Sequence, residues 1–214
     1  MSTDADGKAP RRITRRGVAR RDQIRSVATE LFLEHGYEAV SIDDIIKAVG
    51  GSKTNLYNHF GGKEGLFTAV AEEMCEKFLD TFKTIDASGH DLATGLRLLG
   101  RDLLAILLED RHVAFQRLIF AESGRFPSAG RAWFESGPES SRRVIAQFIQ
   151  VKQEAGEMRP GDPHRLATFF HDMIVTDALY RALIGIRPER AVIERTIADA
   201  VALLATRHEP DADS

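Results

Sequence analysis

The chain has 214 residues, of which 43% are apolar and 29% charged; this ordinary usage is enough for a buried core and excludes a linker-like or collagen-like polymer. Its single cysteine, Cys75, cannot form an internal disulfide, which excludes a stapled secreted scaffold and suits a reducing compartment. A net charge of −3 argues against nucleic acid taken alone, yet residues 1–65 carry 11 Lys and Arg against 9 Asp and Glu, while residues 66–214 carry 18 against 23.

Residues 1–19 are expected to form a disordered basic arm. Lys8, Arg11, Arg12, Arg15 and Arg16, continued by Arg20 and Arg21, face only Asp4 and Asp6. Such a run is either a solvated tail or a local grip on a polyanion, since screening over ~8 Å lets a short basic segment act despite an acidic body. The same polar start lacks the apolar stretch of a secretory signal. No apolar run exceeds Leu103-Leu104-Ala105-Ile106-Leu107-Leu108, far short of the ~20 residues of a membrane span. A soluble, cytoplasmic protein without a membrane partner is expected.

From residue 20 onward the pattern is helical, with no sustained period-2 alternation. Ile24, Val27, Ala28, Leu31 and Phe32 make one apolar stripe, and Gly36 ends it as a left-handed cap. Ser41 and Asp44 form a capping-box pattern for a short second helix with Ile42, Ile45, Ile46 and Val49 inward. After Gly50-Gly51, Ser52 is placed to cap a third helix through His59. Gly61-Gly62 breaks the chain before a long amphipathic helix from Lys63 to Phe82.

Leu92 to Leu108 is leucine-rich on more than one face, the mark of a helix surrounded by others. A helix around 113–122 follows, then one holding Trp133 and Phe134 that is interrupted at Gly137-Pro138 and resumes through Val151. Asp162-Pro163 supplies an N-cap and a first-turn proline for the next helix, and a last helix begins near Pro188. The fold class is therefore all-α, with about nine helices: a three-helix head (20–66), a larger helical body (67–208) and a flexible tail (209–214).

Two short helices joined by a glycine-containing turn fit the helix-turn-helix unit. In the second, Leu56 and Phe60 anchor the helix, leaving Lys53, Thr54, Asn55, Tyr57, Asn58 and His59 to face outward. These side chains can read base edges and hold phosphates in a major groove. Lys63, at the positive end of the next helix, can reach a backbone phosphate. The same spacing also occurs in bundles that bind no nucleic acid.

The run Ile24…Ala28…Leu31-Phe32…Gly36-Tyr37…Ser41-Ile42…Asp44-Ile45…Val49-Gly50-Gly51-Ser52-Lys53…Leu56-Tyr57-Asn58-His59-Phe60-Gly61-Gly62-Lys63-Glu64…Leu66-Phe67 resembles the DNA-binding head of TetR/AcrR-type transcriptional regulators. The body, through Arg117-Leu118-Ile119-Phe120-Ala121-Glu122, Arg125-Phe126-Pro127 and Trp133-Phe134…Gly137-Pro138, resembles the AefR-like branch of C-terminal domains. The resemblance implies a homodimer whose two heads enter successive major grooves of a palindromic double-stranded operator. It casts Tyr57, His59 and Lys63 as phosphate contacts, Ser41 as a further backbone contact, and the outward part of Ser52–Asn58 as base readers. It also implies a repressor released by a small apolar or aromatic inducer, with the fourth helix carrying that event to the heads. The alternatives are a ligand-independent regulator or a helical adaptor without DNA. Two positions depart from the family pattern: Gly51 stands where an apolar residue, often valine, is usual, and Val40 where a hydroxyl residue is common.

Candidate ligand contacts are Phe115, Phe120, Trp133, Phe134, Phe148, Phe169 and Met173, with His171, Asp172 or Thr176 as polar handles; each aromatic can equally be plain core. Leu166, Phe170, Met173 and Ile174 in one helix, with Ile193, Ile197, Val201 and Leu204 in the other, are read as a dimer seam on the resemblance, with intrachain packing as the alternative. No enzyme is expected. Gly61-Gly62-Lys63 lacks the rest of a phosphate loop, Tyr57 standing for its first glycine and Glu64 for its Ser/Thr, and no Gly-x-Ser-x-Gly, His-Glu-x-x-His or Cys-x-x-Cys motif occurs. No metal is expected: His164 and His171 lie ~10 Å apart by helical rise, too far to share an ion. No cofactor is implied.

Overall fold

The computed structural model describes residues 15–205, the side chain of Leu79 apart. Ten helices account for these residues: α1 (Arg15–Ala39), α2 (Ile42–Val49), α3 (Lys53–Phe60), α4 (Lys63–Lys83), α5 (Leu92–Leu107), α6 (Asp110–Glu122), α7 (Pro127–Ser136), α8 (Pro138–Glu154), α9 (Pro163–Leu183) and α10 (Arg190–Ala205). The all-α reading holds. Ten helices stand where about nine were expected because the interruption at Gly137-Pro138 divides one helix into α7 and α8. Proline, lacking an N–H, is tolerated as the first residue of the second piece.

Local chemistry explains most of the boundaries. Ser41 accepts a hydrogen bond from the Asp44 N–H at 3.1 Å, and the Asp44 carboxylate accepts one from the Ser41 N–H at 2.9 Å; this reciprocal box starts α2. Asp91 and Asp162 cap α5 and α9 more simply, each carboxylate accepting first-turn N–H bonds without the return bond. Gly36 does interrupt α1, but with φ 80° and ψ 167° rather than the left-handed helical pair, and the chain stays helical to Ala39 beyond it. One expectation is corrected at the start of the chain. Residues 15–19 of the expected arm are the first turns of α1; the rest of that arm, 1–14, and the expected tail, 209–214, lie outside the described residues.

Two apolar clusters organise the packing. One joins α1, α2, α3 and the first half of α4 with Phe115, Leu118, Ile119, Phe126 and Ala129 from α6, α7 and the turn between them. The head is thus built on part of the body, and its core continues past residue 66. The second cluster surrounds α5, whose Leu96, Leu99, Leu103 and Leu104 are all buried against α8, α9 and α10. Here the expected dimer seam is corrected in part. Phe170, Ile174, Ile197, Val201 and Leu204 are buried in this intrachain core, whereas Leu166, Met173 and Ile193 are half-buried at its edge. The stripes face α5 because each helix must first bury its most apolar side within its own chain.

Candidate functional site

The helix-turn-helix presents α3 on its surface. Leu56, fully buried, holds the helix to the head, and Phe60 is half-buried. Lys53, Thr54, Asn55, Tyr57 and Asn58 are exposed, and His59 is half-buried. The face is therefore cationic, hydroxyl, amide and phenol in composition and free of the chain's own packing. Lys53 pairs with Asp43 of α2 at 2.7 Å, and that hydrogen bond raises its pKa. Ser52 occupies the N-cap position of α3, but its side chain makes no capping bond, so its hydroxyl is not committed to the helix. Ser41 differs: its hydroxyl donates to Asp44 at 2.6 Å while accepting the Asp44 N–H. A phosphate contact from Ser41 would have to share a group already engaged.

Lys63, on the first turn of α4, is half-buried, with its ammonium 4.1 Å from the centre of the Tyr37 ring. Partial burial lowers its pKa, while the aromatic face supports the cation. Two residues complete the head: Arg20, read in the sequence only as part of the basic run, and Gly65, which was not singled out. Arg20 donates to the Val49 carbonyl at 3.0 Å and to the Gly50 carbonyl, so α1 clasps the turn between α2 and α3. Its value depends on a pairing 30 residues away, for which the sequence holds no local signal. Gly65 lies against the Phe60 carbonyl, where a β-carbon would overlap backbone; a glycine inside an otherwise good helix was the available sign.

The body encloses a cavity of about 220 Å³ between α4, α6, α7, α8 and α9. Of the expected ligand residues, Phe115, Phe120, Trp133, Phe134, His171, Asp172 and Thr176 line it. Phe148, Phe169 and Met173 do not. Phe148 is core, its ring against Gly95 of α5; Phe169 and Met173 edge a different groove with Leu203. His112, Gln116, Ser141, Arg142 and Tyr180 also line the cavity and were missed. His112 and Gln116 stand four residues apart on the face of α6 that carries Phe115, a polar pair on an apolar side that was visible in the spacing.

His171 is buried, and its Nδ1 lies 2.8 Å from Asp172 Oδ1, which also accepts from Arg142 Nη2 at 2.7 Å. Burial lowers the His171 pKa despite that carboxylate. Burial works to raise the Asp172 pKa, but the hydrogen bonds from His171 and Arg142 outweigh it and hold it below the ordinary value. The ionised carboxylate thus accepts a hydrogen bond from Nδ1–H and leaves Nε2 of a neutral ring as an acceptor. His112, packed among Phe78 and Phe115 rings, is pushed down to about 4 by burial. Cys75 is pushed up to about 12 by burial, so its thiol stays protonated and is a poor nucleophile. A wider cleft of about 810 Å³ lies by the α9–α10 corner, edged by the Arg101–Glu194 and Arg187–Asp110 ion pairs. Among the described residues, no group of three or more His, Cys, Asp and Glu gathers as a metal site, and no helix is long and apolar enough to cross a membrane.

The cavity and the head share elements. The α6–α7 turn packs Phe126 against both Tyr37 and Phe67, with ring centres 4.7 and 5.4 Å away, and Arg125 pairs with Glu38 at the end of α1. Arg111 of α6 holds Glu30 of α1 through two bonds of 2.7 Å. Helices α6 and α7, which line the cavity, are therefore packed directly on the head.

Comparison with known proteins points the same way. Residues 24–70 match the family described as bacterial regulatory proteins, tetR family, and residues 94–210 match the C-terminal domain of AefR-like transcriptional repressors. The HTH-type transcriptional repressor AcnR of Corynebacterium diphtheriae is 41% identical over 144 residues, covering 67% of this chain and 70% of that protein. A TetR-family transcriptional regulator from Mesorhizobium loti MAFF303099 superposes with a TM-score of 0.80 at 28% identity, covering 89% of this chain and 97% of the other. The flavonoid-responsive regulator FrrA superposes with a TM-score of 0.75 at 32% identity, covering 87% and 95%.

Proposed function

The chain belongs to the TetR family of bacterial regulatory proteins, and from that premise we propose that it represses transcription as a homodimer released from a palindromic operator by a small, largely aromatic ligand. It is a helix-turn-helix DNA-binding regulator. The observation that carries the reading is α3: a short helix pinned by Leu56, with Lys53, Thr54, Asn55, Tyr57 and Asn58 all exposed along its outer side. In the proposed complex this face enters the major groove, where Asn55 and Lys53 read base edges and Tyr57, His59 and Lys63 hold flanking phosphates. Ser52 and Thr54 add hydroxyls at the start of the helix, and Ser41 a weaker backbone contact.

The aromatic cavity is the proposed effector site. FrrA, one of the similar structures, is a regulator that responds to a flavonoid, itself an aromatic molecule. Filling the cavity presses on α6 and α7, which contact the head, and on α4, which starts at Lys63 and reaches the cavity at Cys75 and Phe78. Two recognition helices must be ~34–36 Å apart, or a multiple of that, to read half-sites on one face of the duplex. A small change in their tilt therefore costs phosphate contacts.

The test is selection of bound duplexes from a random pool, followed by affinity measurements on the selected site. The expected product is a two-fold symmetric sequence. Asn55→Ala should cost about 1–3 kcal/mol and relax preference at one position per half-site, while Lys63→Ala should weaken all sequences alike. Asymmetric selected sites, or full affinity in Asn55→Ala, would remove α3 as the reader.

A further inference from the structure

The cavity's chemistry narrows its ligand. Its charged lining residues, Arg142 and Asp172, bond each other at 2.7 Å through Nη2, so the pair carries no net charge, although Arg142 Nε is buried without a partner. Bringing a cation or an anion into such a site would bury a charge without a counter-charge. Two imidazoles are also left available, and both can accept. His171 has Nδ1 committed to Asp172 and Nε2 over as an acceptor. His112 is nine-tenths buried among phenylalanine rings, and neither ring nitrogen has a hydrogen-bond partner among the described residues. A buried polar group without a partner is costly, and a ligand hydroxyl would supply what each ring lacks.

Size adds a bound. A dry cavity of ~150 Å³ holds one benzene, so about 220 Å³ suits one substituted ring or two fused ones. Phe115, Trp133 and Phe134 provide walls for such rings.

Building on the effector reading of this cavity, we infer that it takes an uncharged, hydroxyl-bearing aromatic molecule of one or two rings, held by its hydroxyl on His112 or His171. The hydroxyl donates to the free Nε2 of His171 or to the lone pair of His112. The ring system fills the space between α6, α7 and α9.

Isothermal titration calorimetry on the full chain with four probes of one shape tests this: 2-naphthol, naphthalene, 2-naphthoate and 2-naphthyltrimethylammonium. The wild-type protein should bind 2-naphthol at least tenfold more tightly than either charged probe and severalfold more tightly than naphthalene. That arm needs no variant to fold. His112→Phe or His171→Phe should lose three- to tenfold for 2-naphthol while naphthalene affinity changes less than twofold, with the circular dichroism spectrum unchanged. A charged probe binding as well as 2-naphthol, the absence of binding by any probe, or 2-naphthol affinity unmoved in both variants would overturn the inference. Operator release, measured in parallel, separates it from the effector reading. Binding of 2-naphthol without release from DNA sinks the effector role alone, and release by a charged probe sinks the ligand class alone.

Discussion

Gly51 shows how one residue can reverse an expectation. Where a valine is usual in the family, the glycine looks like a lost apolar contact that loosens the turn. In the structure Gly51 has φ 100°, a conformation that a β-branched residue adopts only under strain, and a β-carbon there would run into the Arg20 guanidinium. The glycine and the arginine are therefore one solution: the side chain missing from the turn makes room for the clasp on Val49 and Gly50. Gly51→Val should destabilise the fold by about 1–3 kcal/mol, read as a lower urea midpoint, and a neutral result would mean the turn has another way to close. A second residue-scale prediction concerns His112. Its pKa is pushed to about 4 in the folded chain, whereas the unperturbed group titrates at 6.5. The unfolded state therefore binds a proton across this interval that the folded state refuses, and stability falls as pH drops from about 6.5 toward 4. Between pH 7 and 5 this group alone removes roughly 2 kcal/mol. The stability difference between wild type and His112→Phe should shift by that amount over the interval, and a constant difference would show the ring to be more hydrated than its surroundings indicate.

At the scale of elements, what was legible in the sequence is what is local. The capping box of α2, the Asp162-Pro163 start of α9 and the Gly137-Pro138 division are each written within four residues, and all three could be read directly. The outward face of α3 was equally readable, because Leu56 and Phe60 fix which side turns in. The Arg20 clasp, the Arg111–Glu30 bridge and the packing of Phe126 on Tyr37 and Phe67 join elements about 30 to 90 residues apart and leave no periodic trace. Yet these contacts connect the cavity to the head. Arg125 is a discriminating probe, since it pairs with Glu38 and lies 5.4 Å from the Tyr37 ring, the ring that also carries Lys63. It is exposed, and surface pairs contribute only about 0–1 kcal/mol, so Arg125→Gln should melt within a few degrees of wild type. Coupling between sites is typically ~1–3 kcal/mol, and the variant should lose a measurable part of it. The expected result is unchanged operator affinity without ligand and a smaller ratio of affinities with and without it. An unchanged ratio would remove Arg125 from the transmission and leave it to the Arg111–Glu30 bridge, the Phe126 packing and α4.

The whole molecule raises the question of how two heads are held together. Reading the most apolar stripes of α9 and α10 as the seam misjudged a competition that sequence periodicity cannot resolve, because each helix has two apolar sides and α5 claims the stronger one. The remaining side is still apolar. Phe169 is 49% exposed and Leu203 65%, and they border a shallow groove with Leu166 and Met173. Exposed large side chains grouped in this way commonly mark an interface, and two such faces related by a two-fold axis would form a four-helix seam. Because Phe169 and Leu203 lie outside the chain's own core, replacing both with glutamate leaves each subunit's packing intact while placing four like charges in the seam. The Phe169→Glu, Leu203→Glu double variant should sediment as a folded monomer at micromolar concentration, with a near-native thermal midpoint allowing for lost dimer stabilisation. Its affinity for a full palindrome should fall by at least 100-fold, because the second head no longer binds at the high effective concentration that dimerisation provides. The slope of log affinity against log salt should fall to about half, since each monomer neutralises half the phosphates. A variant that stays dimeric would move the seam elsewhere, whereas a monomer with full operator affinity and an unchanged salt slope would mean that the two half-sites are read independently.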